Sequence, residues 1–173
     1  MQDMLHQIEP LIPALRRYAR SLLRDRSAAD DLLQDCLERA VSNWSQRKDG
    51  NARAWIFTIL HNLAMTRLRR TTTRPRHVEL DDAQDEAFAQ APSQEDGLRY
   101  RELLAALDRL PEEQKTVLLL ATVEGLSYAE TAGVLDIPLG TVMSRLSRAR
   151  ERLLKEMDGQ QRVASVAHLR SIK

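Results

Sequence analysis

The stretch from Leu126 to Lys155, LSYAETAGVLDIPLGTVMSRLSRARERLLK, predicts two helices joined by a tight turn. Ser127 and Glu130 have the spacing of a capping box, in which each side chain accepts a hydrogen bond from the other residue's backbone N–H at a helix start. This helix ends before the sequence Asp-Ile-Pro-Leu-Gly, where Asp136 tolerates the left-handed backbone that the turn requires. Thr141 is a favourable N-cap for the second helix. The stretch is therefore predicted to form a helix-turn-helix.

The second helix of this stretch has an apolar face and a polar, basic face. Its apolar stripe, spaced for burial, consists of Val142, Leu146, Ala149 and Leu153. The remaining positions offer hydroxyl and guanidinium groups, which suit base edges and phosphates in the major groove. The predicted DNA contacts are Thr141, Ser144, Arg145, Ser147, Arg148 and Arg152. A basic amphipathic helix can equally be an ordinary solvated surface, but the capped helix and tight turn before it favour DNA binding.

The composition of the 173 residues restricts the remaining possibilities. Because the 26 Lys and Arg residues are almost balanced by 25 Asp and Glu residues, any DNA affinity must come from local segregation of charge. Cys36 is the single cysteine, which excludes an intramolecular disulfide and a multi-thiolate metal site, and the four histidines lack ligand spacing. We therefore expect no metal, no cofactor and no catalytic site. No segment has the apolar length of a signal peptide or a membrane span, so we expect a cytoplasmic protein without membrane insertion.

The periodicity of the chain predicts an all-α protein of two small helical bundles. No window alternates with period two, so strands are not indicated. Residues 1–70 are predicted to form three helices, the second of them capped by Ser27. Residues 71–97 are polar, acidic and without periodicity, which is typical of a flexible linker. Residues 98–158 are predicted to form the second bundle, which ends in the helix-turn-helix, and residues 159–173 are a basic tail that is either disordered or a short helix.

The second and third helices of the first bundle each have a polar face as well as a buried one. On the second helix this face is acidic and carries an amide: Asp31, Gln34, Asp35 and Glu38. On the third it combines an aromatic ring, an amide and hydroxyls with neighbouring cations: Lys48, Arg53, Trp55, Thr58, Asn62, Thr66 and Arg69. Rings and cations of this kind suit unstacked bases and their phosphates, which predicts single-strand binding. The alternative is that Trp55 anchors the core and the arginines complement the helix macrodipole.

Five blocks of this chain, in order, resemble the bacterial extracytoplasmic-function (ECF) sigma factors of RNA polymerase. They are ADDLLQDCLERAV (29–41), ARAWIFTILHNLAMTRLRR (52–70), an acidic linker, LDRLPEEQKTVLLL (107–120) and EGLSYAETAGVLDIPLGTVMSRLSRARERL (124–153). The resemblance implies a sigma region 2 domain over 1–70 and a sigma region 4 domain over 98–158. Sigma factors of this family often have an aspartate where Thr66 stands, which is a departure in this chain.

The resemblance also implies the partners of the chain. The acidic face would dock on the β′ clamp helices of core RNA polymerase, with the β flap as a further contact, and a face that is acidic and carries an amide suits a basic partner. The third helix, with Trp55, Asn62 and the loop from Ser45 to Arg53, would open the −10 element and hold an everted base of single-stranded DNA. The helix-turn-helix would bind the double-stranded −35 element. An anti-sigma factor is the expected regulator.

Two other functions compete with a promoter-specificity subunit. A stand-alone helix-turn-helix regulator would use only the stretch from Leu126 to Lys155, and it leaves the acidic face and the Trp55 and Asn62 surface unexplained. A sigma mimic that titrates an anti-sigma factor would be expected to lose the basic groups of the recognition helix, whereas Arg145 and Arg148 are present. The sequence does not support an enzymatic function.

Overall fold

The computed structural model describes residues 2–23, 25–47, 51–71 and 94–170. The regular structure of these residues is helical, as predicted. The α-helices are α1 (Gln2–Ile8), α2 (Ile12–Leu22), α3 (Arg26–Ser42), α4 (Ala52–Thr71), α5 (Gln94–Asp108), α6 (Glu112–Leu118), α7 (Tyr128–Leu135) and α8 (Leu139–Arg170). Within the described ranges, no helix combines the length and the apolar content needed to cross a membrane. Residues 72–93 of the predicted linker lie outside the described residues.

Two prolines, Pro10 and Pro13, determine how α1 gives way to α2. Pro10 has no backbone N–H to continue an α-helix, and it lies in a 3-10 turn, Glu9–Leu11, that separates α1 from α2. Pro13 lies in the first turn of α2, where a missing N–H costs nothing because that donor has no partner within the helix. The regular helix therefore begins next to Pro13.

Two predicted helix starts are wrong, one by two residues and the other by three. Asp25, and not Ser27, is the N-cap of α3, because its Oδ1 accepts hydrogen bonds from the backbone N–H groups of Ser27 (2.9 Å) and Ala28 (3.2 Å). Helix α8 begins at Leu139 and not after Thr141, because the backbone N–H groups of Thr141 (2.9 Å) and Val142 (3.2 Å) already donate to the carbonyl of Pro138.

The predicted helix-turn-helix is confirmed in the cap of its first helix and in its turn. Ser127 Oγ accepts from Glu130 N–H at 3.1 Å, and a carboxylate oxygen of Glu130 accepts from Ser127 N–H at 2.6 Å. Asp136 has φ +51°, and the backbone N–H of Ile137 closes the end of α7 on the carbonyl of Ala132 at 3.1 Å. Helix α8 continues through the predicted tail as far as Arg170, so this tail extends α8 and does not form a separate short helix.

The described part of the chain divides into two compact units. One contains Met1–Arg76 and Thr116–Ser144, and the other contains His77–Lys115 and Arg145–Lys173. The end of α6, helix α7 and the start of α8 thus belong to the same unit as α1 to α4, although the sequence predicts them in a separate bundle. Helices α6 and α7 are joined by a π-helical turn, Leu119–Val123, and by Gly125, whose φ of +66° suits a residue without a side chain.

The core of the first unit contains the buried faces of α2, α3 and α4 together with residues of the π-helical turn, of the loop after it and of α7. Its most deeply buried large side chains are Leu15, Tyr18, Leu32, Ile56, Phe57, Leu60 and Leu120. Val41 has the three-and-four spacing of the apolar residues of α3, but it is 47% exposed because it lies about 100° around the helix from the buried Ala40. Leu104 of α5 is exposed as well, since it is about 100° from the half-buried Leu103 on the side away from Ala106.

Ion pairs link neighbouring segments within the second unit. Lys115 Nζ lies 3.0 Å from a carboxylate oxygen of Asp108, and Arg109 lies 2.8 Å from Glu156. Most of these side chains are exposed, so each pair contributes little to stability by itself. The Lys115 side chain is the exception, since only 10% of it is exposed.

Candidate functional site

The acidic face of α3 is largely open to solvent. Asp31, Gln34 and Glu38 are exposed, and the amide of Gln34 donates to a carboxylate oxygen of Glu38 at 3.0 Å. Asp35 differs from them because its carboxylate forms a salt bridge with the guanidinium of Arg67 on α4. The face therefore presents three groups to a partner, while Asp35 also ties α3 to α4.

The residues predicted for single-stranded DNA form one stripe along α4. Trp55 and Thr58 are half-buried near the start of the helix, whereas Asn62, Thr66 and Arg69 are exposed along the rest of it. Positions three and four residues apart share one side of a helix, so the structure brings these five side chains together. Lys48 lies outside the described residues.

The hydroxyl groups of this stripe are engaged with their own helix. Thr58 Oγ1 donates to the carbonyl of Ala54 at 3.0 Å, and Thr66 Oγ1 donates to the carbonyl of Asn62 at 2.8 Å. Each hydroxyl oxygen keeps acceptor lone pairs for a ligand. The bond to the carbonyl of Asn62 therefore stabilises the rotamer of Thr66.

Sequence reasoning missed an aromatic pair at the start of this stripe. The rings of Trp44 and Trp55 pack edge to face with centroids 6.0 Å apart, and the guanidinium of Arg47 lies 4.2 Å from the centroid of Trp44. The three-and-four spacing of apolar residues would place Trp44 on α3, but it lies in a 3-10 turn, Trp44–Gln46, after that helix ends at Ser42. Both tryptophans also pack against the core, so Trp55 is partly the anchor that the structural alternative describes. The two tryptophans are eleven residues apart, and helical spacing gave no reason to pair them.

Arg53, predicted at the same surface, is turned toward the protein. Its Nη2 donates to the backbone carbonyl of Glu124, in the loop between α6 and α7. Its Nε is buried and has no hydrogen-bond partner in the described part of the chain. Arg53 is therefore not presented to solvent with the rest of the stripe.

The predicted contacts on α8 differ in how far they are engaged. Ser144 Oγ donates to the carbonyl of Thr141 at 3.1 Å, and Arg145 forms a 2.8 Å salt bridge with Glu113. Ser147, Arg148 and Arg152 are exposed, and Arg148 and Arg152 make no hydrogen bond with any described residue. The apolar stripe is confirmed, with Val142, Leu146 and Ala149 buried and Leu153 half-buried.

Met143 is a second residue that sequence reasoning missed. Its side chain is 53% exposed on α8, next in sequence to the buried Val142 and close to the hydroxyls of Ser144 and Ser147. Apolar side chains on such a helix can contact the methyl group of thymine. The signal was available in the sequence, because Met143 falls outside the buried stripe of α8.

Two titratable side chains of the first unit, His61 and Cys36, are buried. His61 is buried on the inner side of α4 and its Nδ1 is hydrogen-bonded to the hydroxyl of Tyr18 at 3.0 Å, and burial lowers the pKa of His61 to about 4. Burial likewise raises the pKa of the Cys36 thiol to about 12. Among the residues that the structure describes, no cluster of histidine, cysteine or carboxylate side chains is arranged to hold a metal ion.

Two sequence-family models match this chain. The model for the sigma2 domain of PhyR matches residues 8–61, and the model for sigma-70 region 4 matches residues 100–153. The matched ranges include the acidic face of α3, the Trp55 and Thr58 positions of the α4 stripe and all of the predicted contacts on α8.

The chain is also similar to individual sigma factors along most of its length. It is 40% identical over 147 residues to the ECF RNA polymerase sigma factor EcfG of Rhodopseudomonas palustris, a match that covers 82% of this chain and 78% of EcfG. It is 36% identical over 142 residues to the ECF sigma factor SigM of Mycobacterium tuberculosis, covering 82% and 70% of the two chains.

A solved structure agrees with both sequence matches. The sigma factor RpoE from Bartonella quintana, crystallised with the anti-sigma factor NepR, is 30% identical and superposes with a TM-score of 0.73 over 91% of this chain and 98% of RpoE. The chain thus belongs to the ECF sigma factors, the subunits that bind core RNA polymerase and direct it to particular promoters.

Proposed function

We propose that residues 1–70 bind core polymerase and the −10 element, and that residues 98–158 bind the −35 element. The family models support this division, because one match ends at residue 61 and the other begins at residue 100. The compact units of the structure divide elsewhere, since α7 packs in the same unit as α1 to α4. The proposed division therefore describes which residues bind each partner, and it differs from the division by packing.

The acidic face of α3 docks on the β′ clamp helices of core polymerase. Support comes from the exposure of Asp31, Gln34 and Glu38 on the side of α3 opposite the core. Acidic groups placed this way attract a basic partner and fix the register of docking. The β flap contacts the region 4 domain, as the resemblance to sigma factors implies.

The α4 stripe opens the −10 element and holds a base removed from the stack. Such a base is recognised on its pairing edge and by stacking, which requires an amide or similar group next to an aromatic surface. Asn62 supplies an exposed amide on the same stripe as Trp55, and the pairing of Trp55 with Trp44 and Arg47 extends the aromatic and cationic surface. Lys48, Thr58, Thr66 and Arg69 are the other proposed contacts, and Arg53 joins them once it is released from Glu124.

Helix α8 reads the −35 element in the major groove. Ser147, Arg148 and Arg152 are the contacts that the structure leaves exposed, and Thr141, Ser144 and Arg145 complete the set. Arg145 must exchange Glu113 for DNA, whereas Arg148 has no such bond to break among the described residues. Arg148 is therefore the proposed contact with the largest expected effect.

The chain acts in the cytoplasm on its polymerase, has no catalytic activity of its own, and is controlled by an anti-sigma factor. The similarity to RpoE, which was crystallised with the anti-sigma factor NepR, supports the last point. Two weak DNA-binding surfaces on one chain gain from each other only when polymerase holds them at the right spacing, because the second contact then forms at a high effective concentration.

A single observation carries this proposal: one chain presents two separate helices, α4 and α8, that each combine a buried apolar stripe with an exposed polar and cationic one. The test is a footprint of the holoenzyme on a promoter fragment, together with permanganate reactivity of unpaired thymines. We expect Asn62→Ala to remove the reactive thymines while the upstream footprint stays, and Arg148→Ala to weaken the upstream footprint. A holoenzyme that protects neither element would contradict the proposal.

A further inference from the structure

The 3-10 turn after α3 stacks an arginine on a tryptophan. The backbone N–H of Arg47 donates to the carbonyl of Trp44 at 3.4 Å, which closes the turn. Side chains three residues apart eclipse each other in a 3-10 turn, and the guanidinium of Arg47 accordingly lies 4.2 Å from the centroid of the Trp44 ring. Trp44 in turn packs edge to face against Trp55 of α4. We call Trp44, Arg47 and Trp55 the tryptophan-arginine cluster.

Helix α1 contacts this cluster through a single glutamine. Gln7 Oε1 accepts a hydrogen bond from Arg47 Nη1 at 3.3 Å, and Gln7 Nε2 donates to Asp3 Oδ2, one turn earlier on α1, at 3.0 Å. The two ends of an amide differ, because the oxygen accepts and the nitrogen donates. An ionised carboxylate only accepts, so Asp3 takes the nitrogen end and leaves the oxygen end for Arg47. Asp3 therefore orients Gln7, and Gln7 orients Arg47.

Helix α1 is itself fixed to the first unit by apolar side chains. Ile8 is buried in the core that includes α4, and Met4 packs against the same core. Positions four apart share one side of a helix, so Asp3 and Gln7 form a polar row beside the apolar row of Met4 and Ile8. The match to the sigma2 domain model begins at residue 8, so the family resemblance assigns no role to Asp3 or Gln7.

The tryptophan-arginine cluster has the groups that an unstacked nucleotide requires. Both tryptophans and Arg47 are half-buried, so each keeps part of its surface open to a ligand. A guanidinium plane supported by an indole can stack on a base, and its N–H groups donate to phosphate oxygens. Among the described residues, only Gln7 takes a side-chain hydrogen bond from Arg47, and the other guanidinium donors remain for DNA.

Fixing Arg47 before DNA arrives should increase affinity. A long side chain that becomes immobile only on binding loses rotamer entropy at that moment, which weakens binding by roughly two- to tenfold. Gln7 and Trp44 hold Arg47 from two sides, so most of this entropy is already lost in the folded chain. Because Gln7 is uncharged, it does so without neutralising the cation that attracts phosphate.

We propose that α1 is part of the −10 binding site: Gln7, oriented by Asp3, is a positioning residue that holds the Arg47 guanidinium on Trp44, ready to receive a nucleotide of the opened DNA strand. The inference rests on the proposed role of α4 at the −10 element. It adds a residue that acts on DNA through another side chain and does not contact DNA itself.

The spectroscopy of the free chain reads this cluster directly, because Trp44 and Trp55 are its only two tryptophans. Gln7→Met keeps an unbranched side chain of similar length and removes both ends of the amide. We expect altered tryptophan emission and a weaker near-ultraviolet circular dichroism signal, with the far-ultraviolet helical signal unchanged. His6→Met makes a polar-to-apolar change at the neighbouring exposed position of α1 and should leave every signal as it was.

A double variant separates positioning from the mere presence of glutamine. Asp3→Asn combined with Gln7→Glu moves one negative charge along α1 without changing the net charge. The amide then donates from position 3, and a carboxylate at position 7 still accepts from Arg47. We expect this variant to restore the near-ultraviolet signal that Gln7→Met loses.

The binding test uses the holoenzyme on a promoter fragment that it opens. We expect Gln7→Met to raise the holoenzyme concentration for half-maximal permanganate reactivity by roughly fivefold, and the double variant to return it to within about twofold of the unmodified value. The upstream footprint and assembly with core polymerase should not change. Arg47→Ala should lower the slope of log affinity against log salt by about 0.7, whereas Gln7→Met should leave this slope unchanged because it removes no charge.

The two proposals fail in different ways. If the unmodified holoenzyme produces no reactive thymines, the proposed function is wrong. If it opens the promoter and Arg47→Ala weakens opening while Gln7→Met changes neither opening nor the near-ultraviolet signal, only the positioning role of α1 is wrong. If opening is unaffected by Arg47→Ala as well, the tryptophan-arginine cluster does not bind DNA and the inference is overturned.

Discussion

Helices α4 and α8 carry the two proposed DNA-binding surfaces, but they use their polar side chains differently. On α4, Arg53 donates to the carbonyl of Glu124, and Arg67 donates to the carbonyl of Ala28 at 2.9 Å and to the carboxylate of Asp35. On α8, Arg148 is exposed and makes no hydrogen bond with the described residues. Polar groups of α4 thus contribute to stability in addition to their proposed role in binding, whereas the exposed groups of α8 are available for binding alone.

Helix α3 combines both kinds of polar group, since Asp35 pairs with Arg67 of α4 whereas Asp31 and Glu38 are exposed. Replacing the two exposed residues is expected to have the largest effect. Asp31→Lys combined with Glu38→Lys reverses two exposed charges without breaking a contact to another helix. We expect roughly 100-fold weaker assembly with core polymerase, because like charges would then meet across the interface, and an unchanged unfolding temperature. Co-purification with core polymerase measures the first and thermal unfolding the second. Glu156→Lys is the matched control, and assembly of the double variant at normal affinity would remove this face from the docking site.

Arg148→Ala tests whether α8 binds DNA without a structural role. We expect about tenfold or greater loss of affinity for the upstream element, the range expected when one specific contact is removed. If Arg148 contacts a phosphate, the slope of log affinity against log salt should also fall by about 0.9. Fluorescence anisotropy of holoenzyme on a duplex fragment at several salt concentrations measures both. Arg150→Ala removes the same charge about 160° away on the helix, and equal losses in the two variants would contradict specific reading by Arg148.

His61, on the inner side of α4, is expected to make the stability of the fold depend on pH. Because the pKa of His61 is about 4 in the folded chain and near 6.5 when unfolded, the unfolded state binds the additional proton between these values. The free energy of unfolding should therefore fall by about 2 kcal/mol as the pH decreases from 7 to 5. Urea unfolding at the two pH values measures this change. His61→Asn keeps a polar group near the hydroxyl of Tyr18 and should flatten the dependence, and an equally steep dependence in this variant would assign it to other groups.

Arg67→Ala on α4 is the counterpart of Arg148→Ala on α8, and its expected effect, on the free energy of unfolding, is the smallest of the four. It removes the bonds to Ala28 and Asp35, and since the pair with Asp35 is partly exposed we expect a loss of about 1 kcal/mol in the free energy of unfolding. Arg148→Ala should leave this free energy unchanged. Chemical unfolding of the two variants side by side checks the difference, and equal destabilisation would end the distinction between α4 and α8.

The features that the sequence predicted correctly depend on local chemistry. The Ser127 and Glu130 capping box, the left-handed Asp136 and the buried stripes of α4 and α8 all follow from residues at most a few turns apart. The errors at Ser27 and Thr141 have a local cause too, since a capping aspartate or a proline carbonyl just upstream took over each helix start.

The features that the sequence could not predict depend on distant residues. Helical periodicity gave Trp44 a place on α3, but its neighbour is Trp55, beyond a loop. Nothing in the spacing of residues indicates that Arg17 pairs with Glu124, since in the sequence each looks like an ordinary solvated charge. The packing of α7 with α1 to α4 was unexpected for the same reason, because an apolar stripe predicts that a helix is buried and not which helix covers it.

Transcription in vitro tests the central claim most directly. Core polymerase would be supplied with fragments of the source genome, with and without this chain, and the 5′ ends of the transcripts would be sequenced. We predict a new set of start sites that share a −10 and a −35 element at constant spacing. An unchanged distribution of start sites after addition of the chain would contradict the assignment of this protein as a promoter-specificity subunit.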